Sequence, residues 1–186
     1  MFIQTEETPN PATIKFLPGQ IILDSGTLDF SSEQDTQKSP LAKRLFAVTG
    51  VVRVFFASDF ISVSKADDTD WSMLKPMILA VLMEHLSTGQ PIIDDDFFDS
   101  KVKENIEDTE VVVQIRELLD ERVRPMVAMD GGDIIFDRFE DGIVYLHMQG
   151  ACAGCPSSTA TLKVGIENML KHYIPEVIEV RPSEML

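Results

Sequence analysis

The 186-residue sequence predicts an α/β (α+β) protein of two small domains, each a β-sheet packed with helices, joined by an acidic linker. Three observations predict this class. Runs rich in β-branched and aromatic residues alternate with runs of helical apolar spacing. A stretch dense in acids and poor in periodic apolar residues divides the chain. Both halves then carry helix, hairpin and helix in that order. The expected boundaries are 1–89 for the first domain, 90–108 for the linker and 109–186 for the second.

The first domain opens with extended segments over Phe2 to Thr5 and Thr13 to Leu17, separated and closed by the turn-rich TPNP and PG. A helix starts at Pro40, with Ser39 as N-cap and proline at the first helical position. Leu41, Leu45, Phe46 and Val48 give it an apolar side up to the stop at Gly50. The runs VVRVFFAS and FISVSK read as a hairpin around Ser58-Asp59. Asp70 is a candidate cap for a further helix, in which Trp71, Leu74, Ile78, Val81, Leu82 and Leu86 recur at helical spacing. Pro76 is expected in its first turn, and Gly89 with Pro91 ends it.

The linker contains DDDFFDSKVKENIEDT, in which Phe97 and Phe98 are apolar exceptions suited to docking on a domain or a partner. The second domain begins with an amphipathic helix carrying Val111, Ile115, Leu118, Leu119 and Val123 on one stripe and ending near Pro125. Asp133 to Phe139 and Ile143 to Gln149 form a hairpin across Glu140-Asp141-Gly142, whose Asp-Gly pair supplies the positive φ of a tight turn. A helix over Ser157 to Tyr173 faces Leu162, Ile166, Met169, Leu170 and Tyr173 inward, and a strand over Val177 to Arg181 closes the sheet.

Charge and hydropathy exclude whole classes of function. Acidic residues number 31 against 16 basic ones, a formal net charge of -15, so the counterion-release term that drives nucleic-acid binding is repulsive here. Basic protein surfaces are the favoured encounters. No apolar run approaches the roughly 18 residues of a spanning helix, so a membrane is not an expected partner. The start MFIQTEETPNP has neither the pattern of a signal peptide nor the Arg-rich, acid-poor character of a transit peptide. Bacterial cytoplasm is therefore the expected compartment, with the mitochondrial matrix the alternative for a processed eukaryotic protein. Two cysteines do not make a secreted disulfide framework.

Those two, Cys152 and Cys155, stand in QGACAGCPSS between a predicted strand and a predicted helix. Three-residue spacing across a turn aims both sulfurs at one point, and a helix N-terminus favours thiolates. Four readings are open. A structural zinc site needs four ligands, while His85, His147 and His172 are scattered. A thioredoxin-like dithiol/disulfide protein also places this motif at a helix start, but with proline between the cysteines rather than after them. Two ordinary buried cysteines would not call for the shaping residues Gly150, Gly154 and Pro156. An iron-sulfur cluster takes four thiolates, which two copies of the chain would supply together. Gly131 and Gly132 suit a close approach between helix and hairpin, Asp130 and Asp133 read as turn and cap residues, and His147 reads as an ordinary strand residue.

The segments DGGDIIF (130–136) and GACAGCPSSTATLKVGI (150–166) resemble the C-terminal domain of NifU, the Nfu domain. MFIQTEETPNPATIKFLPG, SPLAKRLF and GVVRVFFASDFISVSK are similar to the N-terminal domain found in Nfu proteins. The resemblance covers nearly the whole chain. It implies a carrier, not an enzyme, that accepts a 4Fe-4S cluster from an upstream donor. The cluster would bridge a homodimer through Cys152 and Cys155 of each subunit and pass to apo iron-sulfur proteins, those of the lipoyl synthase type included. The additional cysteine-bearing assembly domain of larger NifU proteins has no counterpart here, so delivery is expected rather than de novo assembly.

Overall fold

The computed structural model describes residues 2–94, 109–154 and 156–183. The chain divides into two compact units, Met1–Lys103 and Glu104–Leu186. Each is a β-sheet packed with helices, as the composition of its apolar runs requires.

In the first unit, strands β1 (Gln4–Glu7), β2 (Thr13–Leu17), β3 (Leu28–Phe30), β4 (Val51–Phe56) and β5 (Ile61–Lys65) form a sheet in the order β1-β2-β5-β4-β3. Its neighbouring strands are all antiparallel. The first strand lies two residues later than expected. Thr8 Oγ1 donates to the carbonyls of Asn10 and Thr13, and Asn10 Oδ1 accepts from Ala12 N–H, so the turn closes at Thr8 and pairs Glu7 with Ile14. Phe2 is left exposed. Strand β3 and the 3₁₀ turn Glu33–Lys38 were not expected: three residues are too few to show a period, and the turn has no apolar stripe of its own.

Helix α1 (Pro40–Phe46) starts as predicted, with Ser39 Oγ accepting from Ala42 N–H at 3.1 Å. Helix α2 (Trp71–Ser87) is capped by Asp70, whose carboxylate accepts from Ser72 N–H at 2.7 Å. Pro76 lies at its sixth position, beyond the first turn, and the helix runs through it. The carbonyl that proline leaves without a donor belongs to exposed Ser72, where water can take it. Leu74, Ile78 and Leu82 are buried against Leu41, Leu45, Phe56, Ile61 and Val63, while Trp71, Val81 and Leu86 pack at the margin.

Pro91 and Ile92, read as the start of the linker, are tied to this unit. His85 Nε2 lies 3.1 Å from Pro91 O, Ser39 Oγ donates to Ile92 O at 2.7 Å, and Ile92 and Ile93 pack on the core. Most of the linker reading, including Phe97 and Phe98, lies outside the described residues.

In the second unit, helix α3 (Glu110–Leu118) passes through a π turn, Leu119–Val123, into helix α4 (Arg124–Met129). The helical path therefore does not end near Pro125. A wider turn, in which Arg124 N–H bonds Leu119 O five residues back, precedes the proline and lets the helix continue. Ile115, Leu119, Val123 and Val127 are buried along it.

Strands β6 (Gly132–Glu140) and β7 (Ile143–Gly150) form the expected hairpin, with Asp141 and Gly142 at φ of 50° and 80°. Helix α5 (Pro156–Tyr173) then crosses to β8 (Glu179–Pro182), which pairs in parallel with β7, giving the order β6-β7-β8. Ile166 and Leu170 are buried as predicted. Tyr173 is not: it is 47 % exposed beneath the Arg122 guanidinium, and Ile174, one helical step on, fills the inward position.

Candidate functional site

The site is built where β7 hands over to α5. Strand β7 ends at Gly150 (φ 61°), and Ala151 and Cys152 turn inward, both buried. Gly154 (φ 75°) bends the chain again before Pro156 opens α5. Glycine occupies both bends because a left-handed φ costs it nothing. Cys155 lies outside the described residues.

Three backbone bonds shape the loop. Ala151 N–H donates to Gly131 O at 3.1 Å, Cys152 N–H to Gln149 O at 3.3 Å, and Ala153 N–H to Gly150 O at 3.1 Å. The first crosses to the helix-to-strand turn, where Gly131 (φ 82°) donates to Ala128 O at 3.1 Å. The turn at Gly131 and the start of β6 therefore form a wall of the cysteine loop.

Gly132 is the close approach in that wall. A Cβ there would lie 2.6 Å from Cys152 Sγ, 2.6 Å from Gln149 O and 2.9 Å from Cys152 N. The sulfur occupies the space that a side chain at 132 would take. The sequence reading assigned the paired glycines to contact between helix and hairpin. The structure adds that Gly132 faces the predicted ligand itself.

Asp133 lies in the strand as expected, but its side chain is not the turn or cap group it was read as: it is 3 % exposed, opposite Gln149 in the ladder. Its Oδ1 accepts from Arg124 Nε at 2.9 Å and from Ile134 N–H at 2.8 Å, and its Oδ2 accepts from Arg124 Nη2 at 2.8 Å. Arg124 Nη1 also reaches Asp120 at 3.1 Å. The hydrogen bonds that Arg124 donates to Asp133 raise the Arg124 pKa above its ordinary value, against the opposing effect of burial. Sequence reasoning missed this pair, because nothing in the spacing of Arg124 and Asp133 marks a contact that exists only once the turn at Gly131 folds back. Asp130, by contrast, caps α4 as expected.

The histidines weighed as zinc ligands are engaged elsewhere. His85 belongs to the first unit, His147 Nδ1 lies 3.3 Å from Ser183 O on β7, and His172 packs edge-on to Tyr173. Among the described residues no group of three or more His, Cys, Asp or Glu is placed to hold a metal. Cys152 itself is 6 % exposed and packs in the apolar cluster of the second unit with Ile134, Leu146 and Ile166.

Comparison with known proteins settles the family. The model described as "Scaffold protein Nfu/NifU N terminal" matches residues 3–89, and that of the "NifU-like domain" matches 115–181. The human "NFU1 iron-sulfur cluster scaffold homolog, mitochondrial" is 50 % identical over 178 residues, covering 95 % of this chain and 70 % of its own. The chain belongs to the Nfu family. Arabidopsis thaliana "NifU-like protein 5, mitochondrial" is 52 % identical over 183 residues, covering 95 % of this chain and 66 % of its own. A Drosophila persimilis relative with the same name as the human protein is 51 % identical over 181 residues, covering 97 % and 64 %. The Nfu chain thus spans about two thirds of the length of these curated relatives.

Proposed function

We propose that this Nfu protein is a carrier of 4Fe-4S clusters. Cys152 and Cys155 from each of two copies supply the four thiolates of a bridged cluster, which is received from a donor and passed to apo-proteins that use four-iron clusters. The observation that carries the reading is the seat of Cys152. Its sulfur is held by a hydrogen-bonded loop against a residue with no side chain, at the entrance to α5. Relatives half identical to the chain, and named for iron-sulfur cluster scaffolding, support the same reading. The cluster is cargo, and no bond of a substrate need be made or broken.

The cysteine-bearing second unit holds the cargo and the first recruits or orients partners. With a net charge of -15, basic surfaces on donor and recipient suit the encounter. The mitochondrial names of the relatives support the matrix rather than the bacterial cytoplasm as its place of work.

Anaerobic reconstitution of the full chain with iron and sulfide, followed by native mass spectrometry, tests the proposal. The expected species is a dimer carrying about four irons. A monomer with a complete cluster, or metal-free protein that briskly reduces protein disulfides, would replace the bridged carrier with another reading.

A further inference from the structure

Nothing in the sequence pattern assigns a task to Arg124, yet it joins three parts of the second unit. It stands at the first position of α4, directly after the π turn. One nitrogen reaches back to Asp120 at 3.1 Å, while its Nε and Nη2 grip the two oxygens of Asp133 at 2.9 and 2.8 Å. The fork geometry is the one a guanidinium makes with a carboxylate and an ammonium cannot.

The Asp133 side chain is only 4 % exposed, and its neighbours form the seat of Cys152. Gly132, one residue before, presents its bare Cα to the sulfur. Gln149, opposite Asp133 in the ladder, accepts the Cys152 N–H. Gly131, two residues before, accepts the Ala151 N–H. A carboxylate this buried keeps its place while its countercharge is present. Without the countercharge it turns toward water and draws the first residues of β6 with it.

We propose that Arg124, acting through Asp133, is a positioning residue for Cys152: it pins the start of β6 to α4 and so holds the wall on which the thiol sits. The inference deepens the carrier reading and rests on it for the part that concerns cluster. Partners that hydrogen-bond a ligand directly usually contribute roughly 10–100-fold to metal affinity; Arg124 acts through Asp133 and the backbone, so a smaller effect is expected.

Two measurements on the full chain test this. In a Cys155→Ser background Cys152 is the sole thiol, and its alkylation by iodoacetamide in cluster-free protein reports the seat without any cargo. Arg124→Gln should raise that rate several-fold, and Arg124→Lys, which keeps charge but loses the fork, should lie between. Arg124→Gln/Asp133→Asn, which removes both charges and restores an amide pair, should return toward the parent rate. On the native cysteine pair, cluster loss to a chelator, followed by visible absorption, should accelerate several-fold in Arg124→Gln, short of the roughly 10–100-fold that a direct partner of the ligand would give.

Parent-like alkylation in the Arg124 variants, with only a lowered melting temperature, would reduce the pair to a structural ion pair and overturn the proposal. Arg124→Lys keeps the test decisive if Arg124→Gln fails to fold. Should the parent chain take up no cluster, the carrier reading falls, while the alkylation series still decides the positioning of Cys152.

Discussion

Gly132→Ala perturbs the seat of Cys152 by one methyl group, and the structure allows its size to be worked out. The added Cβ would lie 2.6 Å from both Cys152 Sγ and Gln149 O, against 3.4 Å for the start of ordinary van der Waals contact, so the loop must retreat by about 0.8 Å. Two of the three nearest atoms are backbone, and a rotamer change cannot remove them. Gly132 does not have a positive φ, so the cost is steric overpacking rather than backbone strain. Overpacking of this kind costs typically about 1–3 kcal/mol. At about 4–8 °C per kcal/mol for a unit of this size, calorimetry of the full chain should show the second unit melting visibly earlier. Because the displaced atoms include the sulfur, iodoacetamide should also reach Cys152 faster in the cluster-free protein. Unchanged melting and unchanged Cys152 reactivity in the Gly132→Ala variant would refute the reasoning that glycine is retained there for the close approach.

Other expectations follow from the same structure. Gly165→Ala, on α5 with nothing within 4 Å of the added Cβ, should stabilise the second unit by about 0.5–1 kcal/mol in urea titrations, the opposite sign to Gly132→Ala. Cys152→Ser or Cys155→Ser should each abolish stable cluster binding, because one change removes two of four ligands from a two-copy site; native mass spectrometry should find neither cluster nor cluster-linked dimer. His85 is fully buried, and burial holds its pKa below the ordinary 6.5, against the Pro91 carbonyl and Glu84 and together with Arg44. The unfolded chain therefore binds a proton that the folded chain resists. The neutral His85 contribution is complete above about pH 6.5 and is lost as pH falls toward the depressed folded value. His85→Gln should flatten the stability of the first unit across that acidic range, as read by urea melts at several pH values.

The sequence made legible those elements whose periodicity spans several turns or a full hairpin. The stripe through Leu74, Ile78 and Leu82 and the Asp141-Gly142 turn both appear where the pattern placed them. What escaped was set by tertiary context. The π turn is invisible in composition, so Pro125 looked like a helix end although Val127 continues the buried stripe. Tyr173 and Ile174 both lie near the inward phase of α5, and the guanidinium of Arg122 offers Tyr173 a place at the surface. At the site itself, the glycines flanking Cys152 were legible as turns. The contact of Gly132 with its sulfur was not, because the two are twenty residues apart in sequence and adjoin only through the β6–β7 ladder.

The two-copy reading and the rigid seat bear on each other. A cluster bridged between chains is released when the copies part, so its retention depends on protein concentration as well as on the strength of each iron-sulfur bond. Such a carrier gains from ligands that need little rearrangement on loading, since every ordered residue that must move adds entropy to the cost of binding. The loop from Gly150 to Gly154 meets that need: three backbone bonds, the Gly132 contact and the Arg124–Asp133 fork fix one sulfur before any cargo arrives. Loosening the seat should therefore weaken cluster retention at fixed protein concentration. Diluting the parent protein should do the same without altering the seat. If dilution of the parent left cluster loss unchanged while Gly132→Ala accelerated it, the thiolates would be gathered within one chain, and the partner copy would not be a ligand donor.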